Sequence, residues 1–211
     1  MEAKFCKAQM SVARIPPFRK NDENRPRPCG KEITLFQAVF FKAFFHTDFY
    51  FKQGVISAMI IDSKKYSGAC ACGRNHSMET NLAVIQAGCL SRLDDYLGQF
   101  GLQGPRTAIY DGNTYRAEGL IRPRADQEIV LDPENLQLRG DIRLLVAFGS
   151  GTIHDITRYC AHKRGIPFIS CPTAATVDGF CSPVAAVTWH GFKKTLPGVA
   201  PALVLADLDV I

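Results

Sequence analysis

Four consecutive residues, Gly149-Ser150-Gly151-Thr152, are the stretch of this chain best suited to hold an anion. They follow an apolar run at 144–148. They open a pattern in which Ile153, Ile156, Cys160 and Ala161 share one helical face. Backbone without Cβ atoms can come close to a ligand. At the head of a helix, free N–H groups and the helix dipole both favour phosphate. The same turn also serves as a bare strand-to-helix connection, so these residues alone leave both readings open. A second stretch runs Pro172-Thr173-Ala174-Ala175-Thr176-Val177-Asp178-Gly179-Phe180-Cys181-Ser182. Its alanines leave room, its Thr and Ser residues offer hydroxyls, and Asp178 offers a carboxylate.

The elements that must position these residues are legible around them. Residues 144–148 read as a strand buried on both faces. The helix after the turn carries Lys163 and Arg164 in its last turn and Gly165 as its stop. Residues 166–171 read as a second buried strand. Both candidate stretches then lie on the carboxyl edge of one sheet, where open α/β sheets bind ligands. Upstream, strands are expected at 82–86 and 106–110, with a helix marked by Leu90, Leu93, Leu97 and Phe100 between them. Asp111 follows the second of these strands in Asp111-Gly112-Asn113-Thr114-Tyr115. A carboxylate there can accept from ribose hydroxyls, and it can equally belong to a plain Asp-Gly turn. Residues 128–131 offer a further strand, 184–189 and 192–196 a hairpin, and 202–206 a last buried strand.

Composition narrows the classes. The chain has 211 residues, 46% of them hydrophobic, and a net charge of +5. Residues 1–31 hold eight Lys or Arg against three acids, and the remainder balances 17 basic against 17 acidic residues. The rest of the chain therefore has no basic excess, and nucleic acid is not an expected partner. Residues 1–57, basic and then Phe-rich, are expected to be poorly ordered, with 58–211 forming one α/β domain. Lys42, His46, Asp48 and Lys52 interrupt the apolar stretch at 35–61, so no membrane span is expected. The eight cysteines show no disulfide framework, which suits a reducing cytoplasm. Cys70, Cys72 and His76 do not have the usual spacing of structural zinc ligands. His154 and His162 read as ordinary helix residues, and Asp155 as a structural acid near the helix start.

Several motifs in order carry a resemblance: FGSGTIHDITRY, then GIPFISCPTAATVDGFCSP, then KKT and APALVLADLDVI. Together they resemble the sn-glycerol-1-phosphate dehydrogenases, of the iron-containing alcohol dehydrogenase, glycerol dehydrogenase and dehydroquinate synthase superfamily. The match runs from about Cys70 to Ile211 and is strongest over 144–211. It implies a Rossmann-like nucleotide-binding domain of the dehydroquinate synthase-like fold. By the resemblance, Gly149, Ser150, Gly151, Thr152 and Ile153 would cradle the pyrophosphate of NAD(P). Thr173, Ala174, Ala175, Thr176 and Ser182 would line the cofactor, Asp111 would hold the adenosine ribose, and Asp178 would bind the substrate's hydroxyls. With an acid and no arginine in the 111–115 loop, NAD is expected at least as readily as NADP.

The reaction implied is reversible hydride transfer between NAD(P)H and dihydroxyacetone phosphate, giving sn-glycerol 1-phosphate. In the family a divalent metal, zinc or similar, polarises the ketone. One Asp and two His hold it in a helical C-terminal domain, and these ligands are expected to lie beyond residue 211. Residues 118–141 are expected to lack the family's flanking helices. Two alternatives of other kinds follow: a catalytically dead remnant that only binds dinucleotide, and a dehydroquinate synthase-like enzyme. With the helical domain missing, self-association through an uncovered apolar face is expected.

Overall fold

A computed structural model describes residues 58–70, 73–131, 138–177, 179–189 and 192–211. The expectations for residues 1–57, for Cys72 and for Asp178 lie outside the described residues.

Short apolar runs make the strands, and small or capped turns separate them. Strand β1 (Met59–Asp62) is followed by the small hairpin β2 (Gly68–Ala69) and β3 (Asn75–His76). Strand β4 (Leu82–Ile85) leads through a 3-10 turn, Cys89–Arg92, into helix α1 (Leu93–Gln99). The helix expected from Leu90 to Phe100 is thus split, because Gly88 takes a left-handed conformation (φ 71°) and starts a tighter turn first. Strand β5 (Arg106–Tyr110) and the five-residue helix α2 (Gly112–Arg116) follow. Then come β6 (Gln127–Val130), β7 (Leu144–Gly149), helix α3 (Gly151–Arg164) and β8 (Phe168–Pro172). The hairpin β9 (Val184–Trp189) and β10 (Phe192–Pro197) precedes β11 (Leu203–Ala206).

Seven strands form one sheet in the order β1-β4-β11-β8-β7-β5-β6. All neighbours are parallel except the edge strand β1, which runs antiparallel to β4. From β5 the chain steps outward to β6. From β7 it steps the opposite way, through β8 towards β11. Since β5 and β7 are neighbours, the connections reverse direction between them. Such a switch point opens a crevice at the carboxyl ends of its two strands.

Both faces of the sheet are covered, which is why β7 reads as an unbroken apolar run. Leu144, Val146 and Phe148 pack with Leu93, Tyr96 and Leu97 on one side. Leu145 and Ala147 meet Ile153, Ile156, Cys160 and Ala161 of α3 on the other. The four α3 residues expected on one face are all buried there. Gly165 ends α3 in a left-handed conformation (φ 64°), its N–H donating to Ala161 and His162 carbonyls. Between Ala117 and Arg143 the described residues contain strand β6 and no helix.

Candidate functional site

Register places the two strand ends of the switch point side by side. Tyr110 of β5 pairs with Phe148 of β7, so Asp111 and Gly149 follow on neighbouring strands. A Cβ on Gly149 would stand 3.0 Å from Asp111 Oδ2 and 2.9 Å from Ile153 Cγ1. Gly149 also has φ 157°, so a side chain there is excluded by backbone and neighbours together. The turn meets the loop after β8 through one main-chain bond, Thr173 N–H to the Gly149 carbonyl at 3.2 Å. The structure therefore brings together Asp111, the 149–153 turn and the start of the 173–182 loop.

The N-terminus of α3 is open. Ser150 sits at the cap position in extended backbone, yet its side chain makes no capping bond. Ser150 and Thr152 are exposed. Gly151 is the informative residue. A Cβ there would meet nothing within 4 Å, so packing within the described residues does not call for glycine. Free N–H groups, a 14-residue helix behind them and open space in front make an anion cradle. A phosphate or pyrophosphate group is the kind of ligand such a cradle could hold.

His154 holds the turn from below, a role its place in the sequence does not reveal. It is 1% exposed, and its Nδ1–H donates to the Ser150 carbonyl at 2.9 Å. Burial, with the nearby charge of Arg158, lowers its pKa to about 4 against the pull of the Ser150 bond. The ring is thus neutral, and Nε2 has no hydrogen-bond partner among the described residues. His162 is exposed in the last turn of α3, as expected of an ordinary helix residue.

Arg158 was not singled out by sequence, and it is the largest side chain buried to less than 2% exposure. Its guanidinium pairs with Asp155 at 3.1 Å. It donates to the Val184 carbonyl at 2.8 Å and to the Gly179 carbonyl. Gly198 leaves room for its stem: a Cβ there would lie 3.0 Å from Arg158 Cγ. One cation thus ties the helix of the glycine turn to both ends of the Gly179–Val184 segment. Asp155 is structural as expected, but through this pair and from just past the first turn of the helix. The i, i+3 spacing of Asp155 and Arg158 is the only local signal for the pair.

The other candidates separate. Asp111 caps α2: Oδ1 accepts from Asn113 and Thr114 N–H at 2.9 and 2.8 Å, and Oδ2 from the Thr114 hydroxyl at 2.7 Å. Thr173 and Ala174 are partly exposed, and Ala175 and Thr176 are exposed. Ser182 is buried, and its hydroxyl is taken up by Val184, accepting its N–H at 3.1 Å and donating to its carbonyl at 3.2 Å. Cys70 lies in a tight turn closed by Gly73 N–H on its carbonyl at 2.9 Å. Among the described residues no group of three or more His, Cys, Asp or Glu is placed to hold a metal ion.

Known proteins share this fold. The class is an α/β domain of the dehydroquinate synthase-like fold. The solved glycerol dehydrogenase of Schizosaccharomyces pombe superposes with a TM-score of 0.50 at 22% identity, covering 61% of this chain and 37% of that one. Residues 110–211 match the family described as iron-containing alcohol dehydrogenase. A glycerol-1-phosphate dehydrogenase (NAD(P)+) of Bacillus licheniformis is 34% identical over 171 residues, 70% of this chain and 42% of that protein. One from Geobacillus stearothermophilus is 41% identical over 166 residues, 67% of this chain and 41% of that protein. The chain spans about two fifths of the length of these curated relatives. No helix among the described residues is long and apolar enough to cross a membrane.

Proposed function

We propose that this chain is the dinucleotide-binding part of an NAD(P)H-dependent oxidoreductase that interconverts dihydroxyacetone phosphate and sn-glycerol 1-phosphate. The observation that carries the cofactor half of this reading is the uncapped α3 N-terminus at the switch point, fronted by the open Gly151. The substrate half is supported by the names of the relatives.

In this reading the N–H groups of Gly151, Thr152 and Ile153 bind the pyrophosphate. Gly149 keeps the turn tight enough for that approach. His154 and Arg158 act as positioning residues. His154 fixes the Ser150 carbonyl, and Arg158 fixes the loop that bears the residues around Asp178. Thr173, Ala174, Ala175 and Thr176 form the wall beside the turn. Asp178 is proposed to accept from the substrate's hydroxyls. A bound nicotinamide supplies the hydride.

The test is a titration of the purified chain with NADH and NADPH, followed by nicotinamide fluorescence, then an assay of NADH oxidation with dihydroxyacetone phosphate. Saturable binding is expected. Absence of binding to both dinucleotides contradicts the reading. Binding without turnover leaves the chain a dinucleotide-binding unit and removes the proposed activity from it.

A further inference from the structure

The residue that discriminates between the two dinucleotides can be sought at the other wall of the crevice. Resting on the reading above, we infer that Arg116 is the counter-charge for a phosphate on the adenosine 2′-hydroxyl, so that this chain accepts NADPH at least as well as NADH. The sequence expectation ran the other way, because the 111–115 loop holds an acid and no arginine. Folding changes that balance in two respects.

First, Asp111 is spent. A carboxylate at this edge selects NAD when it is free to accept from both ribose hydroxyls and to repel a phosphate. Here both oxygens already accept, from two backbone N–H groups and the Thr114 hydroxyl. Three donors thus take three of its roughly four acceptor sites and stabilise its charge in place.

Second, Arg116 reaches back. Its guanidinium lies across Gly112, the residue that follows Asp111. Nη2, Nη1 and Cζ come within 3.4, 3.5 and 3.7 Å of where a Gly112 Cβ would stand. That places a permanent cation beside the carboxyl end of β5, next to the strand that ends in Gly149. Among the described residues its one hydrogen bond is a 3.3 Å contact to Asn113 Oδ1. Most of its five donors are therefore available to a phosphate, and its planar fork suits two oxygens at once. Arg122 is nearby but engaged, donating to the Tyr115 carbonyl and stacked 4.4 Å from the Tyr115 ring centre.

The experiment measures NADPH and NADH binding by fluorescence for the full chain and for Arg116→Ala, Arg116→Lys and Arg122→Ala. Adenosine 2′,5′-bisphosphate serves as a competing probe of the subsite alone. Arg116 is exposed, so thermal unfolding of its variants should match the parent. For Arg116→Ala the expected result is NADPH and bisphosphate binding weakened about tenfold or more, with NADH changed less than about twofold. Arg116→Lys should fall between, because an ammonium keeps the charge and loses the fork. Arg122→Ala should leave the NADPH to NADH ratio unchanged. An unchanged ratio in Arg116→Ala overturns the inference while leaving the dinucleotide reading standing. So does a parent chain that binds NADH and not NADPH. A parent chain that binds neither overturns both.

Discussion

Two turns on the carboxyl edge of the same sheet meet the same problem and answer it differently. After β4, the N–H groups of Gly88 and Leu90 point towards β11, and Asp207 accepts both at 2.8 and 2.9 Å while also holding Asp209 N–H at 3.0 Å. Asp207 is fully buried, and the turn is closed by the chain itself. After β7, no side chain caps the helix, and the space before Gly151 is empty. The difference teaches how a site can be told from a scaffold. Backbone donors satisfied by a buried carboxylate serve stability. Backbone donors left open beside a glycine that packing does not require are available to a ligand. Asp111, half-buried at the rim of the crevice, also satisfies backbone donors, those of α2, and lies next to the open turn.

The largest effect should come from the cation that joins the open turn to the loop beside it. Arg158→Ala takes a buried cation away from Asp155 and from two loop carbonyls, and should lower the unfolding free energy by about 3–5 kcal/mol in a urea titration. A loss below about 1 kcal/mol would show that the brace is not holding the loop.

The closed turn comes next. Asp207→Ala leaves two interior N–H groups without their acceptor and should cost about 3 kcal/mol by the same measurement. If the cost is negligible, the contrast between the two turns disappears.

His154 makes the open turn sensitive to acid. The folded ring has its pKa depressed to about 4, against 6.5 for the unfolded chain. The unfolded state therefore takes up the proton first as pH falls. Stability is full above about 6.5, erodes between 6.5 and 4, and should be lower by about 2 kcal/mol at pH 5 than at pH 7.5. The replacement His154→Gln should flatten that part of the pH profile.

The smallest effects compare two cap positions directly. Asp111→Ala should cost about 1 kcal/mol, because three capping bonds are lost at a short helix. Ser150→Ala should change stability by less than about 0.5 kcal/mol, since its side chain makes no cap. Equal costs at the two positions would mean that Ser150 caps α3 after all.

Much of this was readable along the chain, and the unreadable parts share a physical reason. The run at 144–148 announced a strand because burial on both faces demands apolar residues at every position. The hairpin of β9 and β10 and the stop at Gly165 were equally local. The glycine turn was visible as a turn, and the next loop was correctly set beside it. Arg158 was hidden because an arginine in an amphipathic helix ordinarily reads as a solvent-facing residue. Its acceptors, Gly179 and Val184, lie 21 and 26 residues away. Asp207 was hidden in the same way, with acceptor and donors 117 and 119 residues apart. The switch point between β5 and β7 depends on strand order, which no local pattern encodes. The reach of Arg116 back over Gly112 depends on the short helix α2 that Asp111 caps.

The most direct measurement replaces Gly151 by Asp and reads stability and NADH binding on the same protein. The position is open and helical, so the fold should tolerate the change, and an acid at a helix N-terminus should raise stability by about 0.3–1 kcal/mol. The same carboxylate would occupy the cradle and repel pyrophosphate, so NADH binding should be lost while the protein becomes no less stable. Undiminished NADH binding in Gly151→Asp would contradict the assignment of the open turn as the dinucleotide site.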